Sequence, residues 1–403
     1  MSGVSGMSTG NAILVINAGS SSLKFSVFRE KPGGDVAVAI NGQISGIGTE
    51  PKFEAKDTSR RVLADKAWGA GEKSDRTALL SYLLDWVEEH LEGAKLIAAG
   101  HRVVHGGSKY SHPVLLTPEV LAELDALIPL APLHQPHNLA AIRALAEAHP
   151  ELPQVACFDT AFHRGQPWQS QTFALPRAMT EEGVRRYGFH GLSYEYIARR
   201  LPEVAPELAD AHVVVCHLGS GASMCAIKAG KSIDSTMGFT AVDGLPMGTR
   251  TGRLDPGVLI YLMRAKGMGA DELEKLLYNK SGLLGVSGVS NDMRVLLESA
   301  EPHAAEAVEL FCHSVAKETG ALAASMGGLD AIVFTAGIGE RSAPVRARVA
   351  KKLAWLGVHL DPDANDANEA KISAPDSRIP VWVIPTDEER MIAQHTVEVM
   401  EQR

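Results

Sequence analysis

No C-x-x-C pair occurs in this chain. Its four cysteines, Cys157, Cys216, Cys225 and Cys312, stand far apart, which argues against a zinc knuckle or a dithiol redox pair. Two of them lie in apolar runs and read as buried thiols. No run of ~18 apolar residues is present, so no membrane-spanning helix is expected. There is no excess of basic residues either: the formal net charge is -9, and nucleic acid, which selects a basic footprint, is not expected as a partner. A local basic site for a small anion stays open. The opening MSGVSGMSTG lacks both a basic region and an apolar core, so it reads as a loose tail and not as a signal peptide, with Met7 an alternative start. These absences point to a cytoplasmic protein with no membrane association.

What is present is enough apolar residue, 45% of 403, to build real cores, and a length that at ~150 residues per domain gives two or three domains. Strand and helix signals alternate, which predicts an α/β fold. Leu79, Leu80, Leu83, Leu84, Val87 and Leu91 form one stripe of a helix over 75–92. Thr117-Pro118 and Asp255-Pro256 each read as an N-cap followed by proline at the first helical position. Ser342 is placed to cap 343–356, with Gly357 at its end, and Thr386 with Glu389 matches a capping box for a last helix over 387–401. The longest apolar-periodic helix is 303–326.

One internal repeat stands out. AILVINAGSSSLKFSV (12–27) lies over HVVVCHLGSGASMCAI (212–227) at a constant offset, Val15 on Val215, Gly19 on Gly219 and Ser20 on Ser220. Two ordinary hairpins could coincide this way; the bolder reading is a duplicated domain whose copies each open with a phosphate-type hairpin. A third apolar strand, AIVF (331–334), runs into AGIGE, a third glycine turn. No Pro/Ser-rich tether separates the halves. The domain change is placed near Cys157-Phe158-Asp159, giving 1–158 and 159–389, with a closing helix 390–403 packing back on the first domain.

Several stretches could carry chemistry. The turn after AILVI offers backbone amides and serine hydroxyls beside Lys24, a nest for an anion, although the plainer reading is a flexible hairpin loop and no G-x-x-x-x-G-K-[ST] occurs there. Arg102, at the end of a strand in GHRVVHGG, and Arg250, in the glycine-bounded MGTRTGRLDPG, suit a guanidinium clamp on phosphoryl or carboxylate oxygens; a surface ion pair is the plainer reading of Arg102. Asp159 leaves a strand at its carboxyl end, where ligands bind in open α/β sheets, or it is an Asx-turn. His190 sits between glycines before a helix capped by Ser193, placed to donate to an anion. PLAPLHQPHNL, with His134 and His137, fits a rigid apolar wall better than a metal site. Asp292 and Arg294 open a helix in VSNDMRVLL. Glu388, in the first turn of the last helix, either complements the helix dipole or holds magnesium through water.

NAGSSSLKFSV, HRVVHGG, APLH, CFDTAFH, YGFHGLS, CHLGSGAS, MGTRTG, NDMR, FTAGIGE and PTDEE, in this order over nearly the whole chain, closely resemble the acetate kinase family. The resemblance implies two ribonuclease-H-like domains, a duplicated βββαβαβα core of the actin-like ATPase fold shared with sugar kinases and the heat-shock chaperone ATPase, flanking a nucleotide cleft. It implies an ATP-dependent phosphotransferase with a carboxyl group as acceptor: ATP + acetate ⇌ ADP + acetyl phosphate, by direct in-line transfer, with Mg²⁺, or Mn²⁺ in its place, and a homodimer. Asn17 and Glu388 would hold the metal. Arg102 and Arg250 would bracket the transferring phosphoryl group, with His190 stabilising the transition state. Asp159, usually assigned as acid or base, would orient Mg²⁺ or Arg102. Lys24, His217, Leu218, Gly219, Ser220, Gly221, Asp292, Met293, Arg294, Gly337, Ile338, Gly339, Glu340 and Arg341 would bind the nucleotide. Arg102, Val104, Leu133, His134 and Phe189 would receive acetate or another short carboxylate.

Four positions depart from the family's pattern. Ser220, Arg341 and Asp387 stand where it has asparagine, and Ala241 replaces a proline near the acyl pocket, which would enlarge that pocket. Alternatives therefore include propionate or butyrate as acceptor and pyrophosphate as donor. An actin-like nucleotide switch with no small acceptor shares the hairpins, but the apolar loops around Leu133 and Phe189 argue against it.

Overall fold

In the computed structural model, residues 10–403 other than 32, 70, 71 and 73 are described. The readings of residues 1–9 as a tail and of Met7 as an alternative start fall outside the described residues. The chain separates into two compact units, Met1–Ala161 with Asp387–Arg403, and Phe162–Thr386.

The first unit is built on an eight-stranded sheet. Its strands are β1 (Asn11–Ala18), β2 (Ser22–Glu30), β3 (Val36–Ser45), β4 (Lys52–Asp57), β5 (Val62–Ala67), β6 (Lys95–Val103), β7 (Val114–Leu115) and β8 (Gln154–Phe158). They run in the order β5-β4-β3-β2-β1-β6-β8-β7. β1 to β5 form an antiparallel meander, and β6 and β8 continue parallel to β1. β1 is buried on both faces, as its unbroken AILVI run requires of a central strand.

One face meets the helices Arg76–Glu89 and Gln135–Ala148 through Leu14, Ile16, Phe25, Phe53, Leu80 and Leu84. Asp75 caps the first of these by accepting from Ala78 N at 2.9 Å. The other face meets the C-terminal helix Glu388–Glu401, which buries Met391, Ile392, Ala393 and Val397. Gly100 of β6 permits this approach: a Cβ there would lie 2.3 Å from Thr396 Oγ1. The cap of that helix is Asp387, accepting from Arg390 N at 2.9 Å. Thr386 does not cap it, because its hydroxyl is taken by Ser193.

The second unit carries β9 (His212–Leu218), β10 (Ala222–Lys228), β11 (Lys231–Ser235), β12 (Ala331–Thr335) and β13 (Val381–Val383), in the order β11-β10-β9-β12-β13. β9 to β11 are antiparallel, and β12 and β13 follow parallel to β9. The order and directions repeat those of β3-β2-β1-β6-β8. This is the duplicated core that the hairpin overlay suggested, in the ribonuclease-H-like form that the family resemblance implied.

The overlay is exact in β1 and β9 only. The turn between paired Ala18 and Leu23 holds one residue more than that between paired Leu218 and Ala222. Lys24, opposite Asn17, therefore matches Ser223, opposite His217. Val213, Val215, Cys225 and Val333 face the helix Gly191–Val204 through Tyr194, Ile197 and Leu201. The long helix Pro302–Met326 buries Val308, Phe311, Val315 and Leu322.

Two further expectations change. AGIGE is no glycine turn: Ala336–Arg341 is a short helix directly after β12. The helix after Ser342 ends at Lys352, before a 3₁₀ turn that leads to left-handed Gly357.

Candidate active site

Alternation along the strands sets which side chains meet. In the first unit β1 pairs with β6 through Ile16 and His101, so Asn17 and Arg102 lie side by side on the face that the C-terminal helix covers. Lys24, cross-strand from Asn17, shares that face. Arg102 stands at the end of β6 and Asp159 just beyond β8. The guanidinium donates to both oxygens of Asp159, Nε at 3.0 Å and Nη2 at 2.6 Å. Its Nε also lies 3.9 Å from the Glu388 carboxylate.

Asp159 is 2% exposed. Burial opposes the charge on Arg102, but Asp159 and Glu388 more than offset it and hold the guanidinium protonated. Glu388 is pushed up to about 7, first by burial and then by the neighbouring carboxylates of Asp159, Glu389 and Asp387, with Arg102 pulling the other way.

Behind this cluster Ser26 donates to Asn41 Oδ1 at 2.7 Å and bonds the Glu389 carboxylate. Val104 is buried, its backbone N–H held by Asn138 Oδ1 at 3.1 Å. Leu133 is exposed, and His134 immediately precedes the helix Gln135–Ala148. The PLAPLHQPHNL stretch is thus a 3₁₀ turn followed by a helix.

In the second unit β9 and β10 bring His217 and Ser223 opposite each other, facing the helix that begins at Gly191. His190 precedes that helix in the left-handed region, φ 57°, a conformation that costs a non-glycine residue energy and orients its ring. The His190 and His217 rings stack with centroids 4.1 Å apart. Nδ1 of His190 is 2.8 Å from Ser223 Oγ, which is 2.5 Å from Tyr194 OH. Nδ1 of His217 is 2.8 Å from Ser193 Oγ, which donates to Thr386 Oγ1 at 2.9 Å. Ser193 therefore orients a histidine and does not cap the helix.

The turn Gly219–Gly221 is closed by Gly219 N donating to Gly221 O at 3.0 Å, and Ser220 O accepts from Gly248 N at 3.2 Å. That bond joins the hairpin to the loop of Arg250. Arg250 donates through Nη1 to Ala241 O at 3.1 Å, with Met247 Sδ at 3.9 Å. Gly252, at φ 72°, packs where a Cβ would lie 2.5 Å from the Leu245 carbonyl carbon, which fixes this loop tightly.

Gly337, Ile338, Gly339, Glu340 and Arg341 form the short helix after β12. Glu340 accepts from Ala336 N at 2.8 Å and Thr386 N at 3.1 Å. Asp292 caps the helix Met293–Glu298 and pairs with exposed Arg294 at 2.6 Å.

The structure thus gathers Asn17, Lys24, Arg102, Asp159 and Glu388 on the first unit. On the second, His190 and His217 form one cluster, and the Gly219–Gly221 turn is tied to the Arg250 loop. Phe189 is buried in the second unit.

Sequence reasoning missed Ser223, Tyr194 and Arg346. Ser223 and Tyr194 lie inside quoted motifs but carry no spacing signal. Arg346 is fully buried and donates to Gly339 O at 2.9 Å, Asn365 Oδ1 at 2.8 Å, Asn365 O at 2.7 Å and Asn368 Oδ1 at 2.7 Å. Burial pulls it down to about 10. All four cysteines are buried. Among the described residues no group of three or more His, Cys, Asp and Glu could hold a metal ion, and no helix is long and apolar enough to cross a membrane.

Two copies of one ribonuclease-H-like sheet, one carrying the Arg102–Asp159 pair and the other paired histidines beside a hairpin turn, belong to the actin-like ATPase fold. Comparison narrows the class. A family model described as the Acetokinase family matches residues 12–394. An acetate kinase of Rhodopseudomonas palustris is 55% identical over 390 residues, covering 96% of this chain and 97% of its own. Among solved structures, a propionate kinase from Francisella tularensis is 38% identical, with TM-score 0.87 over 96% of this chain and 98% of its own. The acetate kinase of Porphyromonas gingivalis is 37% identical, with TM-score 0.86 over 97% and 100%. The chain belongs to the acetokinase family.

Proposed function

We propose that this enzyme transfers the γ-phosphoryl group of ATP to acetate, reversibly, giving acetyl phosphate and ADP. The observation that carries the reading is the pairing of partly buried Arg102 with buried Asp159 in a chain of this family. An oxygen of acetate attacks the γ-phosphorus, the bond to the β–γ bridging oxygen breaks, and ADP leaves with the electron pair. A carboxylate acceptor is already ionised at neutral pH, so no general base is required. Asp159, with both oxygens on Arg102, serves to aim the guanidinium. Arg102 and Arg250 neutralise oxygens that gain charge, and His190 donates to the same group. The Gly219–Gly221 turn and the 337–341 helix receive the nucleotide, with Asp292, Met293 and Arg294 at the adenosine. Lys24 is assigned to the phosphates for its charge. Val104 and Leu133 in one unit, and Phe189 in the other, are assigned to the methyl group for their apolar side chains.

Mg²⁺ fits the oxygen donors available. Asn17 lies on the sheet face that the C-terminal helix covers, and Glu388 opens that helix among the carboxylates of Asp159, Asp387 and Glu389. Two protein ligands suit a cation that keeps its waters and is completed by phosphate oxygens. Bound there, Mg²⁺ would neutralise phosphate charge; Mn²⁺ would serve similarly.

The helix Pro256–Lys266 supports a homodimer. Its sequence is PGVLIYLMRAK, yet no residue in it is buried, and Val258, Ile260, Tyr261 and Met263 lie exposed together. An apolar patch of this kind marks an association surface. ATP as substrate supports a cytoplasmic location.

The test is acetate-dependent formation of acyl phosphate, trapped as hydroxamate, compared across acetate, propionate and butyrate. Acetate should give the highest kcat/KM. Preference for propionate would transfer the reading to the larger acid, and no acyl phosphate with any of them would end it.

A further inference from the structure

His190 is held in a rare backbone conformation, and its ring is fixed at the Nδ1 end by a chain of two buried hydroxyls. Ser223 Oγ lies 2.8 Å from Nδ1, and Tyr194 OH lies 2.5 Å from that same Oγ. Ser223 and Tyr194 are both 0% exposed. The other ring nitrogen, Nε2, lies over the hairpin turn: a Cβ on Gly221 would be 3.4 Å from it. What Nε2 can do at that turn depends on where the ring carries its proton.

A serine hydroxyl has one proton to give, so the chain can be polarised in two ways. If Tyr194 donates to Ser223, then Ser223 donates to Nδ1, and the neutral ring is protonated at Nε2. If Nδ1–H donates to Ser223, then Nε2 is a bare lone pair directed at a turn that receives phosphate oxygens, and lone pairs oppose one another. The neighbouring ring shows the contrast. Ser193 commits its proton to Thr386, so its oxygen accepts from Nδ1 of His217, 2.8 Å away.

We propose that Tyr194 and Ser223 are positioning residues for the transfer step: the Tyr194 → Ser223 → His190 relay fixes His190 as its Nε2–H tautomer and presents that N–H to the phosphoryl group at the Gly219–Gly221 turn. Neither residue touches substrate; both act through His190. The proposal rests on the phosphoryl-transfer reading above, and its test separates the two.

The first measurement is the ¹⁵N spectrum of histidine-labelled wild-type enzyme at pH 8, with His190 assigned by its loss in His190→Ala. An Nε2–H pattern is expected, and an Nδ1–H pattern overturns the relay. The second is a double-mutant cycle. Tyr194→Phe keeps the ring and removes the donor; it should lower kcat about tenfold, the loss of one hydrogen bond, with KM for ATP and acetate little changed. In the His190→Ala background the same substitution should change kcat by less than about twofold. Equal losses in both backgrounds overturn the proposal. Ser223→Ala should behave like Tyr194→Phe, and Ser223→Thr, which keeps the hydroxyl, should restore most of the rate; equal losses in the two Ser223 variants count against the relay. If wild-type enzyme forms no acyl phosphate, the reaction is wrong, and the nitrogen spectrum still decides the relay.

Discussion

Asp159 occupies both carboxylate oxygens with one partner, Arg102, through Nε at 3.0 Å and Nη2 at 2.6 Å. A carboxylate so engaged fixes the orientation of the guanidinium. Asp159→Ala should lower kcat by about 10²-fold or more, in the range of lost electrostatic positioning. Combined with Arg102→Ala it should add little to the loss from Arg102→Ala alone. Independent, multiplicative losses in steady-state kinetics would show that Asp159 acts on something other than Arg102.

Arg250 sits in a loop tied to the Gly219–Gly221 turn by the Gly248–Ser220 bond. Arg250→Ala should leave ATP affinity nearly intact by calorimetry and cut turnover by ~10³-fold or more, as for other arginines that neutralise a transferring phosphoryl group. Normal turnover in this variant would remove Arg250 from the mechanism.

Arg346 links the 337–341 helix to Asn365 and Asn368. Arg346→Met leaves several acceptors buried and unpaired, at a cost on the order of 3 kcal/mol. At a temperature where the variant stays folded, KM for ATP should rise several-fold while KM for acetate holds. A lower Tm with both KM values unchanged would make Arg346 a stability element only.

His101 is buried in the first unit, and burial lowers its pKa to about 4. Its ordinary value is 6.5. Above pH 6.5 the imidazole is neutral in both states and contributes nothing to pH dependence. Below it the unfolded chain takes up the proton first, so stability falls as pH drops from 6.5 towards 4, then levels. At pH 5 the loss is about 2 kcal/mol. Urea midpoints for wild type and His101→Gln, at pH 7.5 and 5, should show a smaller fall in the variant; parallel falls would contradict the buried neutral ring.

Ile260 and Met263 lie exposed on an otherwise apolar helix. Ile260→Glu with Met263→Glu should convert the enzyme to monomers by analytical ultracentrifugation at micromolar concentration, with the helical signal retained. A monomeric wild type would refute the dimer outright.

The α/β alternation, the helix caps at Thr117 and Asp255, and the duplicated core were legible because each rests on local pattern: apolar periodicity, a cap beside proline, a hairpin seen twice. The candidate site residues were carried over by motif, and their roles rest on the proposed function. Partnership was not legible. The pairing of Arg102 with Asp159 joins two strand ends, and nothing in their spacing encodes it. Ser193 looked like a helix cap because serine before a helix usually is one; the fold instead spends its hydroxyl on His217 and Thr386. Thr386 lost its cap role for the same reason, and Asp387 took it. AGIGE reads as a turn by composition, yet Ala336–Arg341 forms a short helix that Arg346 and Glu340 hold at both ends. No local pattern announces a buried arginine whose acceptors lie in one earlier and one later segment.

The extra residue in the first hairpin has a lasting effect. Through it the strand returning beside Asn17 presents a cation, Lys24, at the station where its twin presents the hydroxyl of Ser223. The two related hairpins thereby place different chemistry at one matching strand position, an ammonium in one unit and a histidine-bound hydroxyl in the other, and exchanging the two turns would shift both strands out of that register.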